Sequence, residues 1–67
     1  MSETLGERLK YSLKIRRISQ KRFSAWLEIS EAEMCRIIND KQQPKADMIV
    51  EICRKLGISS DWLLGLM

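Results

Sequence analysis

Two short helical patterns between residues 19 and 44 constrain the fold of this chain more than any other stretch. Each pattern is opened by a serine, and a break over residues 28–30 separates them. In the second pattern Met34, Ile37 and Ile38 recur at helical spacing, so they should share one buried face. The residues between them must then point elsewhere. The stretch therefore predicts two helices joined by a tight turn, the second with one face open to solvent.

Side chains that can bond the free amides of a first helical turn mark where helices should begin. Ser30 and Glu33 have the spacing of a capping box, in which the serine oxygen accepts from the Glu33 amide and the glutamate accepts from the Ser30 amide. Thr4 and Glu7 repeat this pattern near the start of the chain. The sequence therefore predicts one all-α domain over residues 1–67. Its helices should begin near Thr4, Ser19, Ser30, Ala46 and Ser59, and Gly57 should stop the fourth.

The apolar residues predict a single core. Leu5, Leu9 and Leu13 step by four along one stripe of the first helix, so this stripe should face inward. Ile15 and Ile18 lie beside its end and should be buried with it. The later helices should contribute Phe23, Leu27, Ile49, Ile52, Cys53 and Leu56.

Composition excludes several classes of protein. At 67 residues the chain is one small domain, and a hydrophobic content of 45% favours a folded core over disorder. Because there is no long apolar run and no signal-peptide pattern, we expect no membrane span and a cytoplasmic protein with reduced thiols at Cys35 and Cys53. The chain has no histidine, no catalytic triad and no glycine-rich phosphate loop. We therefore expect neither an enzyme nor a bound metal or cofactor.

Positive charge is concentrated in residues 8–22, where no acidic residue occurs. The basic residues of this segment are Arg8, Lys10, Lys14, Arg16, Arg17, Lys21 and Arg22. A basic lobe this dense suits a polyanionic partner. A solvated helix surface or an amphipathic membrane helix would account for the same charges. Its position directly before the two-helix pattern favours contact with phosphates.

Residues along most of the chain share the kind and spacing of a known motif. They are Ser19, Gln20, Phe23, Ser24, Ile29, Ser30, Met34, Ile37, Asn39 and Pro44, and the similarity continues through residues 56–64. In these positions the chain resembles the lambda repressor and Cro-like (XRE) helix-turn-helix DNA-binding family. The resemblance implies a five-helix lambda-repressor-like fold in which helices two and three form the helix-turn-helix.

Four positions depart from the family pattern. Glu28 and Asp40 stand where the family commonly has glycine. At Glu28 the turn should either be strained or differ in geometry, and a near-normal left-handed turn with some strain is expected, whereas aspartate tolerates such a turn better than most residues. The family often pairs an arginine of helix one with a glutamate of helix three, whereas the matching residues here are Leu13 and Ile38. Because two packed apolar residues can replace a buried ion pair without loss of stability, the joint change is compatible with the fold.

The resemblance implies a sequence-specific DNA-binding regulator, with a repressor that binds an inverted-repeat operator as a homodimer as the main interpretation. Its third helix should enter the major groove, where Glu31, Ala32 and Arg36 would contact bases and the Arg36 fork would match guanine. Phosphate contacts should come from Gln20, Lys21, Arg22, Asn39, Lys41 and Lys45. A dimer interface should come from Trp62, Leu63, Leu64 and Leu66.

A second interpretation is a protein-interaction module, or an antitoxin on the same fold that binds both a toxin and its own operator. Carboxylates at Glu31 and Glu33 would be repelled by phosphates, which favours this interpretation. Trp26 and residues 62–67 could form its contact surface, although Trp26 could instead cover the edge of the core. The capping box gives Glu33 a structural role, whereas Glu31 could also accept a hydrogen bond from cytosine.

Overall fold

A computed structural model describes residues 3–66, and the regular structure within them is helical throughout. It confirms the predicted all-α architecture with five helices. They are α1 (Leu5–Ile15), α2 (Gln20–Trp26), α3 (Glu31–Ile38), α4 (Ala46–Leu56) and α5 (Ser60–Leu64). Helix α3 packs against α1 and α2, and α5 packs against α1 and α4. The ends of the predicted domain, residues 1–2 and 67, lie outside the described residues.

The helices begin at the predicted caps. Thr4 forms a complete capping box: its hydroxyl oxygen accepts from the Glu7 amide at 3.1 Å, and the Glu7 carboxylate accepts from the Thr4 amide at 2.9 Å. Ser19 and Ser30 make the same cap without the return bond, and the Ser59 hydroxyl oxygen accepts from the Trp62 amide. The capping-box prediction at Ser30 is therefore half wrong, because the Glu33 carboxylate turns away and accepts from Gln42 instead.

A single core of buried apolar side chains lies between the helices. Its members are Leu9, Leu13, Phe23, Leu27, Met34, Ile37, Ile38, Ile52, Leu56 and Leu63. Leu13 and Ile38, which stand in place of the family's ion pair, are both among them. The prediction is wrong for Ile15, which is 56% exposed, because it lies two residues beyond Leu13 and so nearly opposite it on α1. Ile49 and Cys53 are only partly buried against the edge of the core.

Three residues other than glycine have a left-handed backbone within residues 3–66. Glu28 and Asp40 do so as predicted, with φ of 61° and 60°. Arg17 was not predicted to, and its φ is 56°. Such a residue costs roughly 1–2 kcal/mol unless a local bond offsets it. Each follows the end of a helix, where a left-handed residue lets the chain turn away. These three turns therefore help to set the directions of the helices that follow them, α2, α3 and α4.

Asp40 ties the end of α3 to the start of α1. Its carboxylate accepts from the Gly6 amide at 2.9 Å and from the Thr4 hydroxyl at 2.5 Å. The Gly6 amide lies in the first turn of α1, where no carbonyl of the same helix can reach it. The two helices also meet closely at Gly6, since a Cβ there would lie 2.2 Å from the Ile38 carbonyl oxygen. The missing side chain at Gly6 therefore lets α1 and α3 approach.

Arg8 ties α1 to α5. Its Nη1 donates to the Trp62 carbonyl at 3.1 Å, and its guanidinium carbon lies 5.5 Å from the centroid of the Trp62 ring. Its Nη2 lies 3.9 Å from the Glu3 carboxylate. The Nε atom is buried and has no hydrogen-bond partner among the described residues. Arg8 is thus occupied inside the protein and is not free to meet an external anion.

Candidate nucleic-acid interface

Helix α3 has one face in the core and one face in solvent. Met34, Ile37 and Ile38 are buried. The exposed residues of the helix are Glu31, Ala32, Cys35 and Arg36. The three residues predicted to contact bases therefore lie together on the open face, two in the first turn and Arg36 in the next. A helix with one free face has the width that the major groove of DNA admits.

A chain of hydrogen bonds holds the side chain of Arg36. Its Nε donates to the Gln42 amide oxygen at 2.9 Å, and the Gln42 amide nitrogen donates to the Glu33 carboxylate at 3.2 Å. The arginine is thus held through Nε, while its two terminal nitrogens are free to donate outward. This arrangement also explains why Glu33 does not complete the capping box, since its carboxylate orients Gln42.

The turn after α3 brings Gln42 to Arg36. The amides of Lys41 and Gln42 donate to the Arg36 carbonyl at 2.8 Å and 3.3 Å, so the chain folds back over the last turn of the helix. The left-handed conformation of Asp40 permits this reversal. Gln42 is a site residue that sequence reasoning missed, because a separation of six residues matches no helical neighbour spacing. A polar residue two places after a left-handed turn is the signal that could have indicated it.

The residues predicted to contact phosphates are all exposed. They are Gln20, Lys21, Arg22, Asn39, Lys41 and Lys45. Asn39 already uses its side-chain amide within the protein, donating to the Cys35 carbonyl at 2.9 Å and lying 3.2 Å from the Cys35 sulfur. That bond fixes the asparagine over the end of α3, beside the exposed Cys35 thiol.

The basic residues of positions 8–22 lie in different surroundings. Arg8 points inward, as described above. Lys10 and Lys14 line a concavity together with Ser19 and Gln20. A separate concavity at the α1–α2 turn is lined by Arg16, Arg17, Ile18, Arg22 and Trp26. Lys10 and Lys14 are therefore further candidates for phosphate contact beside Gln20, whereas Arg22 lies with a different group of side chains.

One solved structure has nearly the same fold. The P22 c2 repressor, in a complex with the synthetic operator 9T in the presence of Tl⁺, matches with a TM-score of 0.87 over 94% of this chain and 96% of its own. The chain has a lambda-repressor-like fold. Only 21% of the residues are identical. No model of a known protein family and no curated protein matches this sequence.

The C-terminal part of the lambda-repressor-like fold exposes fewer apolar side chains than predicted. Leu63 is fully buried, so the prediction that it contributes to a dimer interface is wrong: its side chain already fills the core. Trp62 is partly buried beneath Arg8. Leu64 and Leu66 are exposed, and Leu66 is 72% accessible. Any contact surface here would therefore be formed mainly by Leu64 and Leu66.

Trp26 has features of both roles that the sequence left open, which are covering the edge of the core and forming an exposed contact surface. One edge of its ring packs against Phe23, with centroids 5.9 Å apart and planes at 84°, while half of the side chain is exposed. The Lys55 ammonium lies 5.2 Å from its ring centroid. Trp26 therefore covers the edge of the core and also presents an aromatic surface to solvent.

Neither cysteine belongs to a cluster that could hold a metal, because residues 3–66 contain no suitable group of three or more ligands. Burial raises the pKa of the Cys53 thiol, since a thiolate there would be poorly solvated. In the same part of the chain, no helix is long and apolar enough to cross a lipid bilayer.

Proposed function

We propose that this chain is a sequence-specific DNA-binding repressor of the lambda repressor and Cro-like (XRE) type, in which α3 enters the major groove. The observation that carries the proposal is Arg36, an exposed arginine on the open face of α3 that Gln42 holds through Nε. The fold shared with a repressor solved on an operator supports it. A fixed guanidinium loses less conformational freedom when it binds, which favours selective contact with a base.

Each exposed residue of α3 suits a different base. The terminal nitrogens of Arg36 match the O6 and N7 acceptors of guanine, and the Glu31 carboxylate can accept from the N4 amino group of cytosine. Ala32 can contact the methyl group of thymine. Glu33 stays out of this contact because it binds Gln42. The acidic charge at the start of α3 is therefore compatible with DNA binding.

Phosphate contacts would surround this helix. We assign them to Gln20 with Lys10 and Lys14 on one side, which line one concavity. We also assign them to Asn39, Lys41 and Lys45, which follow α3 in and after the exit turn, and to the exposed Lys21 of α2. Arg22 is left out because its side chain lines the separate concavity at the α1–α2 turn. These contacts position the domain but do not read sequence.

Replacement of Arg36 by alanine tests the proposal. We expect Arg36→Ala to weaken binding to the best site by about 1–3 kcal/mol and to relax the preference at one base pair of each half-site. The site is first selected from random duplexes, and affinity is then measured by fluorescence anisotropy. Lys41→Ala is the matched control, because loss of a phosphate contact should weaken all sequences alike. Equal losses on specific and random DNA for Arg36→Ala would contradict its assignment.

A protein-interaction module or an antitoxin is the second candidate. The half-exposed ring of Trp26 and the exposed Leu66 favour it, because both offer apolar surface to a partner. The selection experiment separates the two functions. If no consensus sequence emerges from random duplexes, the DNA-binding proposal fails and the interaction module becomes the better interpretation.

A further inference from the structure

The concavity at the α1–α2 turn is lined by three arginines and a tryptophan. Its volume is about 320 Å³, and its lining residues are Arg16, Arg17, Ile18, Arg22 and Trp26. This volume lies at the lower end of the roughly 300–1,000 Å³ found for pockets that hold small molecules. We infer that the concavity binds a phosphate-bearing small molecule, and that a nucleotide is the class that uses all of its lining groups.

The three guanidinium groups have no carboxylate partner among residues 3–66. The ion pairs in this part of the chain join Glu3 to Arg8 and Glu51 to two cations of α4. Arg16 uses one nitrogen to donate to the Ser12 carbonyl at 3.1 Å, which leaves most of its five N–H groups available. Guanidinium groups bind phosphate oxygens through paired, charge-assisted hydrogen bonds. Three arginines that line one concavity therefore favour an anion with several phosphate oxygens.

The turn that ends α1 presents Arg17 to solvent. Its φ of 56° belongs to this turn, which the Arg17 amide closes by donating to the Lys14 carbonyl at 3.1 Å and the Ile18 amide by donating to the Leu13 carbonyl at 3.0 Å. The Arg17 side chain has no hydrogen bond or ion pair within the described residues. Its guanidinium is therefore available to a ligand.

Trp26 favours a nucleotide over a simple phosphate. Its ring is half exposed and stands edge-on to Phe23, which holds it in place. Stacking of a base on an aromatic side chain is favourable for every base. The Lys55 ammonium lies 5.2 Å from the ring centroid and is paired with Glu51 at 3.5 Å, so the charge that binds a ligand must come from the arginines. A nucleotide could thus place its phosphates on the arginines and its base on the indole.

This concavity is distinct from the one that holds Gln20. Ile18 forms a wall of both, but their other lining residues differ. Arg22 and Trp26 lie one turn apart on α2, and the ring of Trp26 faces Lys55 near the end of α4. The inference therefore does not depend on DNA binding, and either proposal can fail alone.

Calorimetric titration of the whole chain with ADP, at about 0.15 M salt, tests the inference. We expect ADP to bind more tightly than adenosine or inorganic pyrophosphate, and to shift the indole N–H resonance of Trp26 but not that of Trp62. Arg22→Gln should weaken ADP binding roughly tenfold or more, because it removes a charge-assisted hydrogen bond. Arg17→Gly should weaken it similarly while relaxing the backbone, so unfolding cannot explain the loss.

Lys14→Gln is the matched control, since it removes the same charge from the neighbouring concavity. It should leave ADP affinity unchanged to within about twofold, because separate surface charges contribute little. Equal loss of ADP binding in Lys14→Gln and Arg22→Gln would overturn the inference in favour of diffuse charge attraction. ADP binding no tighter than that of sulfate would also overturn it. The inference would also be overturned if Arg22→Gln weakened DNA binding as much as Lys14→Gln does. The arginines would then be contacts to the phosphate backbone of DNA.

Discussion

Two residues with the same backbone strain differ in what their side chains do. Glu28 and Asp40 have φ values of 61° and 60°, and each ends a helix of the helix-turn-helix. The Asp40 carboxylate accepts two hydrogen bonds from the first turn of α1. Glu28 is exposed and makes no such bond within the described residues. The strain at Asp40 is therefore offset, whereas the strain at Glu28 is not.

This difference predicts opposite effects of the same substitution. Glu28→Gly should raise the free energy of unfolding by roughly 1 kcal/mol, because glycine adopts the left-handed turn without strain. Asp40→Gly relieves the same strain but removes two hydrogen bonds to a charged group, so it should lower the free energy of unfolding by about 1–2 kcal/mol. Urea unfolding of both variants provides the measurement. Equal stabilisation of the two would show that the Asp40 carboxylate contributes nothing.

At the scale of helices, local sequence signals predicted where each helix begins, but they did not predict which distant residues make contact. Ser19, Ser30 and Ser59 bond amides only three residues away, so a cap can be recognised from sequence alone. Asp40 reaches Gly6 across 34 residues, and no sequence pattern predicts which turns will meet. Glu33 shows the limit of local prediction within one helix. Its carboxylate could accept a hydrogen bond from the Ser30 amide or from Gln42, and it accepts from Gln42 because the exit turn brings that residue close.

The close contact between α1 and α3 predicts that Gly6 tolerates no side chain. Gly6→Ala should lower the free energy of unfolding by about 1–3 kcal/mol, because the new Cβ would meet the backbone oxygen of Ile38 and separate the helices. Lys10→Ala places alanine at an exposed position of the same helix and should change stability by less than ~0.5 kcal/mol. Thermal unfolding of the two variants is the comparison. A Gly6→Ala protein as stable as the control would mean that α1 can shift freely over α3.

At the scale of the whole molecule, the proposed operator requires two copies of this chain. A domain this small offers few base contacts, and we propose that the exposed Leu64 and Leu66 form a two-fold contact between two copies. Two recognition helices on one face of DNA must then lie about 10 base pairs apart. The sequence alone did not show which of the predicted interface residues are exposed, because the burial of Leu63 depends on how α5 packs against the core.

Leu66→Asp tests this dimer. We expect it to leave folding intact and to abolish cooperative binding to the two half-sites, because a carboxylate would be placed in the apolar contact. Val50→Asp is the matched control, since Val50 is an exposed apolar residue on α4. Inserting about five base pairs between half-sites should reduce binding by the unmodified chain towards the non-specific level. Footprinting measures the cooperativity of binding in each case. Cooperative binding that persists both in Leu66→Asp and on the lengthened site would exclude a dimer formed through Leu64 and Leu66.

The bond from Arg8 to Trp62 has a consequence for how the chain is made. The two residues are 54 positions apart, so at 5–20 residues per second the ribosome needs roughly 3–11 seconds to supply the second after the first. Helix α1 can form within about a microsecond of leaving the ribosome. Its apolar stripe can pack against α3 once that helix has been made, but Arg8 must wait for α5. During synthesis, the arginine of α1 is therefore without its bond to Trp62 for several seconds after the helix can form.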